Sequence, residues 1–119
     1  MQAPGPRALV VDDDAALRML SRINLELEGF EVVEASTVAE AEEAVRARRP
    51  DVVLLDVHLG GVDTRDLLAR LRAAGIPVAL VTGSADVDEI RKEADAVLTK
   101  PFTPDGLVET ARRLARVEA

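Results

Sequence analysis

Short, almost wholly apolar runs recur along this chain, each followed by a longer stretch whose apolar residues fall at helical spacing. The runs are Ala8-Leu-Val-Val11, Val52-Val-Leu-Leu55, Val78-Ala-Leu-Val81 and Ala96-Val-Leu98. A strand that is apolar on both faces has to be covered on both, which is the situation of a parallel strand between helical layers. The alternation therefore confines the chain to an α/β architecture built from repeated strand-helix units. A fifth run, Glu31-Val-Val-Glu-Ala35, is more polar and suits an edge strand.

The intervening segments carry helix signals. Ala15 to Glu28 places Ala16, Leu20, Ile23 and Leu27 on one predicted face, with Asp14 as N-cap and Gly29 as stop. Val38 to Arg48 repeats the pattern with Val38, Ala41 and Val45, after a Ser36 or Thr37 cap and before Pro50. Arg65 to Ala74 buries Leu67, Leu68 and Leu71 and ends at Gly75. The final helix has Thr103 as N-cap and Pro104 at its first position, then Leu107, Val108, Ala111, Leu114 and Ala115 on one face. Asp86 to Ala94 is thin, offering only Val87, Ile90 and Ala94. Right-handed crossovers fold five such units into a doubly wound sheet, whose ligand site lies at the carboxyl ends of the strands, near the switch in strand order.

A chain of 119 residues suits one core, so residues 1–119 are expected to form a single domain with its core over about 7–117. The net charge of −7 disfavours direct contact with nucleic acid or an anionic membrane, where Lys and Arg must neutralise phosphates. With no cysteine, disulfides, thiolate metal sites and thiol nucleophiles are excluded, and a lone histidine, His58, excludes a His-rich zinc site. The start lacks a signal-like apolar segment and no run approaches the length of a membrane span, so a cytoplasmic protein is expected. Phe30 and Phe102 are the only aromatics, too few for a base-stacking platform.

Chemistry concentrates at the predicted strand ends. The first strand runs into Asp12-Asp13-Asp14, the third ends in Asp56, the fourth in Thr82 and the fifth in Thr99-Lys100-Pro101. Carboxylates gathered in one crevice repel unless a cation relieves the field. A hard divalent ion with oxygen ligands, best matched by Mg2+, would do so, and Lys100 would supply fixed positive charge opposite. The three aspartates also suit the N-terminus of the first helix, with Asp14 the natural cap. Thr82 also suits local backbone bonding, Lys100 a solvated surface and His58 an exposed loop.

In order and spacing, Leu9-Val-Val-Asp-Asp13, Asp51-Val-Val-Leu-Leu-Asp56, Val81-Thr-Gly83 and Thr99-Lys-Pro-Phe102 resemble the receiver domains of bacterial two-component response regulators. The resemblance runs from about Arg7 to the C-terminus. It implies a flavodoxin-like (βα)5 fold with a five-stranded parallel sheet in the order 2-1-3-4-5. It further implies that Asp56 accepts a phosphoryl group from a sensor histidine kinase or phosphotransfer protein. Mg2+ would be held by Asp13, Asp56 and the main-chain carbonyl of His58, with Asp12 acting partly through water. Thr82 and Lys100 would contact phosphoryl oxygens. The domain would then be a signalling switch rather than an enzyme, assisting its own phosphorylation and dephosphorylation and changing its grip on a downstream protein.

Several residues depart from that pattern. Val97 stands where many receivers carry Tyr or Phe, Gly60 where Pro is common and Thr64 where Gly is common. The separation between Thr82 and Lys100 is a few positions short, and the shortage falls on the thin Asp86–Ala94 segment, where mobility is expected. Leu55-Asp-Val-His-Leu-Gly-Gly61 and Pro77-Val-Ala-Leu-Val-Thr-Gly83 are similar to an atypical subgroup with a Pro-Phe-x-Phe-Ala-Thr-Gly motif, although Val78, Leu80 and Val81 replace Phe, Phe and Ala. The last predicted helix is followed only by Val117-Glu-Ala119, which suits a stand-alone receiver. Two other readings are a pseudo-receiver that binds partners without accepting phosphate and an aspartyl-phosphate phosphatase. The phosphatase lacks a late acidic pair and a substrate cap.

Overall fold

The alternating runs form a parallel sheet in a computed structural model that describes residues 5–83 and 91–116. The elements are β1 (Arg7–Val11), α1 (Ala15–Leu27), β2 (Glu31–Ala35), α2 (Val38–Ala47), β3 (Val52–Asp56), β4 (His58–Leu59), β5 (Val62–Asp63), α3 (Arg65–Ala73), β6 (Val78–Thr82), β7 (Ala96–Thr99) and α4 (Pro104–Ala115). Five strands pair in parallel in the order β2-β1-β3-β6-β7. Counting only these five, this is the order 2-1-3-4-5. After β3 and before α3, β4 and β5 form a separate antiparallel hairpin with Gly60-Gly61 at its turn. Both glycines have positive φ, +57° and +84°, as a two-residue hairpin turn between Leu59 and Val62 requires.

Alternate residues of each strand feed opposite layers. Leu9, Val11, Val53 and Leu55 pack with Ala41 of α2 and Leu67, Leu68 and Leu71 of α3. Ala8, Val10, Val52 and Leu54 pack with Leu25 of α1 and Leu107, Val108 and Ala111 of α4. Asp14 caps α1 by accepting from the amides of Ala16 and Leu17, Thr37 caps α2, and Thr103 caps α4 with Pro104 in its first turn. Glu31–Ala35 lies at one edge of the sheet, as its polarity predicts, and the half-buried β7 forms the other.

One helix face is corrected. Leu20, Ile23 and Leu27 are 49%, 44% and 78% exposed, and Ala16 is also exposed; Ser21 and Leu25 face the core instead. The helix carries two apolar stripes, and the small, polar Ser21 interrupts the buried one. A spacing argument therefore selects the outer stripe. Residues 84–90, which include Val87 and Ile90, lie outside the described residues, as does Val117; Ala94 packs against the layer of α2 and α3. Among the described residues, no helix is long and apolar enough to cross a membrane.

Candidate functional site

The carboxyl ends of β1 and β3 meet where the strand order reverses, since the chain leaves β1 toward β2 on one side and returns to β3 on the other. Such a switch point leaves a crevice open above the sheet. Asp12 follows β1 directly and is 4% exposed, with its amide donating to the Ala35 carbonyl at 3.1 Å. Its Oδ1 accepts from the Asp14 amide at 2.9 Å. Its carbonyl accepts from Arg18 Nη1 at 2.7 Å, and Arg18 in turn pairs with Glu34 of β2. Asp13 is exposed, and its Oδ2 accepts from the Gly60 amide at 3.1 Å.

Asp56 closes β3 and is 7% exposed. Its Oδ1 accepts from the His58 amide at 3.2 Å, and its Oδ2 lies 3.4 Å from Lys100 Nζ. The same ammonium lies 3.4 Å from Asp12 Oδ2, so Lys100 bridges the two buried carboxylates. Its position follows from β7: the Lys100 amide donates to the Thr82 carbonyl at 2.8 Å, just beyond the Thr82–Thr99 register pair. Thr82 is itself buried, one residue past Val81, the register partner of Asp56.

One carboxylate oxygen from each of Asp12, Asp13 and Asp56 lies within 4.8 Å of the other two. Burial raises the Asp12 carboxyl above its ordinary value, and the Asp56 charge adds to the rise against the opposing Asp14 amide and Lys100. For Lys100, burial works against the charge, but Asp12 and Asp56 more than offset it and raise the ammonium above its ordinary value. A crowded, hard-oxygen donor set whose negative charge one lysine leaves uncompensated fits a small divalent cation such as Mg2+. The backbone of the hairpin fits too. Thr64 N–H bonds the Val57 carbonyl at 3.1 Å, which puts His58 and Asp63 at a non-hydrogen-bonded position of the ladder and turns the His58 carbonyl away from it. The His58 side chain is exposed.

Other contributors were not singled out as site residues from sequence. Arg18 anchors the Asp12 peptide, Asp63 accepts from the Arg65 amide at 2.9 Å at the start of α3, and the Thr64 hydroxyl bonds the Asp56 carbonyl at 2.6 Å. The only sequence signal for the hairpin behind two of them is the glycine pair. Val97, where the resemblance would place an aromatic, packs against the layer of α2 and α3.

A family model, the response regulator receiver domain, matches residues 8–112. The chain belongs to this family. Among curated relatives, the DNA-binding response regulator MtrA of Mycolicibacterium smegmatis is 40% identical over 118 residues, covering 94% of this chain and 52% of the relative. The phosphate regulon transcriptional regulatory protein PhoB of Pseudomonas aeruginosa is 32% identical over 120 residues, with 94% and 52% covered. This receiver thus spans about half the length of these relatives. The solved receiver domain of NtrX from Brucella abortus superimposes with a TM-score of 0.83 at 32% identity, over 93% of this chain and 99% of the other. A CheY-like receiver domain protein from Methanospirillum hungatei gives 0.85 at 29% identity, with 94% of both chains covered.

Proposed function

We propose that this receiver is a phosphoryl-accepting switch in a two-component relay, with Asp56 as the acceptor. The observation that carries the reading is the Lys100 ammonium held 3.4 Å from both Asp12 and Asp56, in a crevice where Asp13 completes a three-carboxylate cluster. An Asp56 oxygen would attack the phosphorus of a phosphohistidine on a sensor histidine kinase or phosphotransfer protein. The O–P bond forms as the P–N bond breaks, and the imidazole nitrogen leaves with the bonding pair and takes up a proton. Such transfer depends mainly on positioning and on neutralising charge spread over the phosphoryl oxygens. Lys100 would pair with one of those oxygens and the Thr82 hydroxyl would bond another. Asp12, Asp13, Asp56 and the His58 main-chain carbonyl would hold Mg2+, which when bound supplies further positive charge to those oxygens.

The acyl phosphate adds negative charge and acceptor oxygens at the end of β3, and this change would alter the grip on a downstream protein. The DNA binding named for MtrA belongs to a protein about twice as long. The present domain, with its charge of −7, would act through protein partners in the cytoplasm, without direct contact with nucleic acid or membrane. Incubation with Mg2+ and acetyl phosphate, followed by intact mass, tests the reading. The wild type is expected to gain one labile phosphoryl group and Asp56→Asn none. A wild type that gains nothing points to a pseudo-receiver, and turnover of unrelated phosphate esters to a phosphatase; either result overturns the proposal.

A further inference from the structure

Thr64 begins α3 at its N-cap position, yet its side chain makes no cap hydrogen bond to that helix. A threonine there ordinarily turns its oxygen toward the amides of the helix's first turn. Here the side chain is turned the other way and buried, with the residue 1% exposed. The hydroxyl lies 2.6 Å from the Asp56 carbonyl oxygen and 3.0 Å from that of Val57. Asp63 accepts from the Arg65 amide in its stead. Helix capping therefore does not account for a hydroxyl at this position.

The carbonyl it serves is a specific one. The β1–β3 ladder ends at Val11↔Leu55, so the Asp56 carbonyl lies beyond the last described register pair with β1. A single hydroxyl proton, donated mainly to Asp56 at the shorter distance, meets that need. The Thr64 amide also donates to Val57 and its carbonyl accepts from the Leu68 amide at 2.9 Å. One residue thus ties the start of α3, the base of the hairpin and the peptide after Asp56 into a single unit. The orientation of the Asp56 carboxylate depends on the backbone that Thr64 holds twice, through the Asp56 Cα–Cβ bond and through the amide of the next peptide, His58 N–H, which donates to Oδ1.

We propose that Thr64 is a positioning residue for phosphoryl acceptance, acting through its hydroxyl on the Asp56–Val57 backbone. The proposal rests on Asp56 being the acceptor. Phosphorylation rates with acetyl phosphate and Mg2+, followed by intact mass, are compared for wild type, Thr64→Ser and Thr64→Val. The serine keeps the hydroxyl and is expected within about twofold of wild type. The isosteric valine is expected to lose roughly ten- to hundredfold in maximal rate with little change in the half-saturating acetyl phosphate concentration, the mark of lost alignment rather than lost binding.

Leu25→Ala, which loosens the opposite core layer, controls for stability and is expected to keep its rate under conditions where it is folded. A valine variant at the wild-type rate overturns the proposal, and so does a serine variant as slow as valine, since packing would then matter rather than the hydroxyl. Where valine fails to fold, Thr64→Ala carries the same expectation and the same refutation. A wild type that takes no phosphate instead refutes the acceptor role of Asp56, a separate outcome.

Discussion

Replacing Asp12 by Asn should make the fold more stable at neutral pH in the absence of divalent cations. Asn keeps the shape and the Oδ1 acceptor that binds the Asp14 amide at 2.9 Å. What it removes is a buried charge facing two others, each with an oxygen within 4.8 Å. At an effective dielectric of 20, two carboxylates that far apart repel by about 3.5 kcal/mol, and an ammonium at 3.4 Å attracts by about 5 kcal/mol. Two repulsions thus exceed the one attraction to Lys100 by about 2 kcal/mol on the same scale. Solvent around the exposed Asp13 trims that excess and the burial of Asp12 restores part of it. The expected gain is about 1–2 kcal/mol, or roughly 4–8 °C in Tm for a domain of this size.

The sign with pH is fixed by the same residue. The Asp12 carboxyl lies above its ordinary value of 3.8, so the folded chain retains a proton that the unfolded chain has already lost. Stability from this group therefore falls as pH rises from about 3.8 through the higher folded value. Asn cannot titrate, so the gap between variant and wild type opens over that window and closes below it. Urea denaturation across the acid range and at pH 7, in chelator, reads the gap directly. An Asp12→Asn protein less stable than wild type at neutral pH without divalent ions refutes the reasoning. Added Mg2+ should narrow the gap, because the cation binds the folded wild type more tightly.

Lys100 carries the opposite dependence: its stabilising charge is complete below its ordinary value of 10.5 and is lost as pH rises through the higher folded value. Alkaline denaturation should therefore separate wild type from Lys100→Met below that range and bring them together above it. Gly60→Ala meets no neighbour within 4 Å but must adopt φ +57°, so it should cost about 1–2 kcal/mol by urea denaturation through backbone strain alone. Leu25→Ala should cost about 2–5 kcal/mol, whereas Leu20→Gln and Ile23→Gln on the exposed stripe of α1 should each stay within about 0.5 kcal/mol.

That contrast within α1 shows where sequence reading succeeds and fails. Strands such as Val52–Asp56 are legible because both faces are covered and every residue is buried, so register does not matter to recognition. A helix is legible in position from its caps, and Asp14, Thr37 and Thr103 all cap as their residue types suggest. Its orientation depends on which stripe wins, and a buried Ser21 beside an exposed Leu20 defeats any ranking by hydropathy. At the site, the residues that came together are those at the ends of strands in register, because strand order alone brings Asp12, Asp13, Asp56 and Lys100 to one edge. The hairpin escaped because each of its strands has only two residues, too few to show a period.

Electrostatics and backbone at the end of β3 can be read as one design. The charges of Asp12 and Asp13 push Asp56 out of the crevice, while Lys100, its side chain 31% exposed on a flexible stem, pulls it back. A mobile counter-charge neutralises but does not orient. Orientation comes from groups with fixed directions: the Val57 amide on the Val81 carbonyl at 3.1 Å, the His58 amide on Oδ1 and the Thr64 hydroxyl on the Asp56 carbonyl. Asp13 contributes at the far end of the hairpin by accepting the Gly60 amide, so the carboxylate that repels Asp56 also restrains the loop that holds it. Removing the Asp12 charge from this site should thus stabilise the fold without disordering the acceptor, whereas removing the Thr64 hydroxyl should disturb the acceptor while leaving every charge in place.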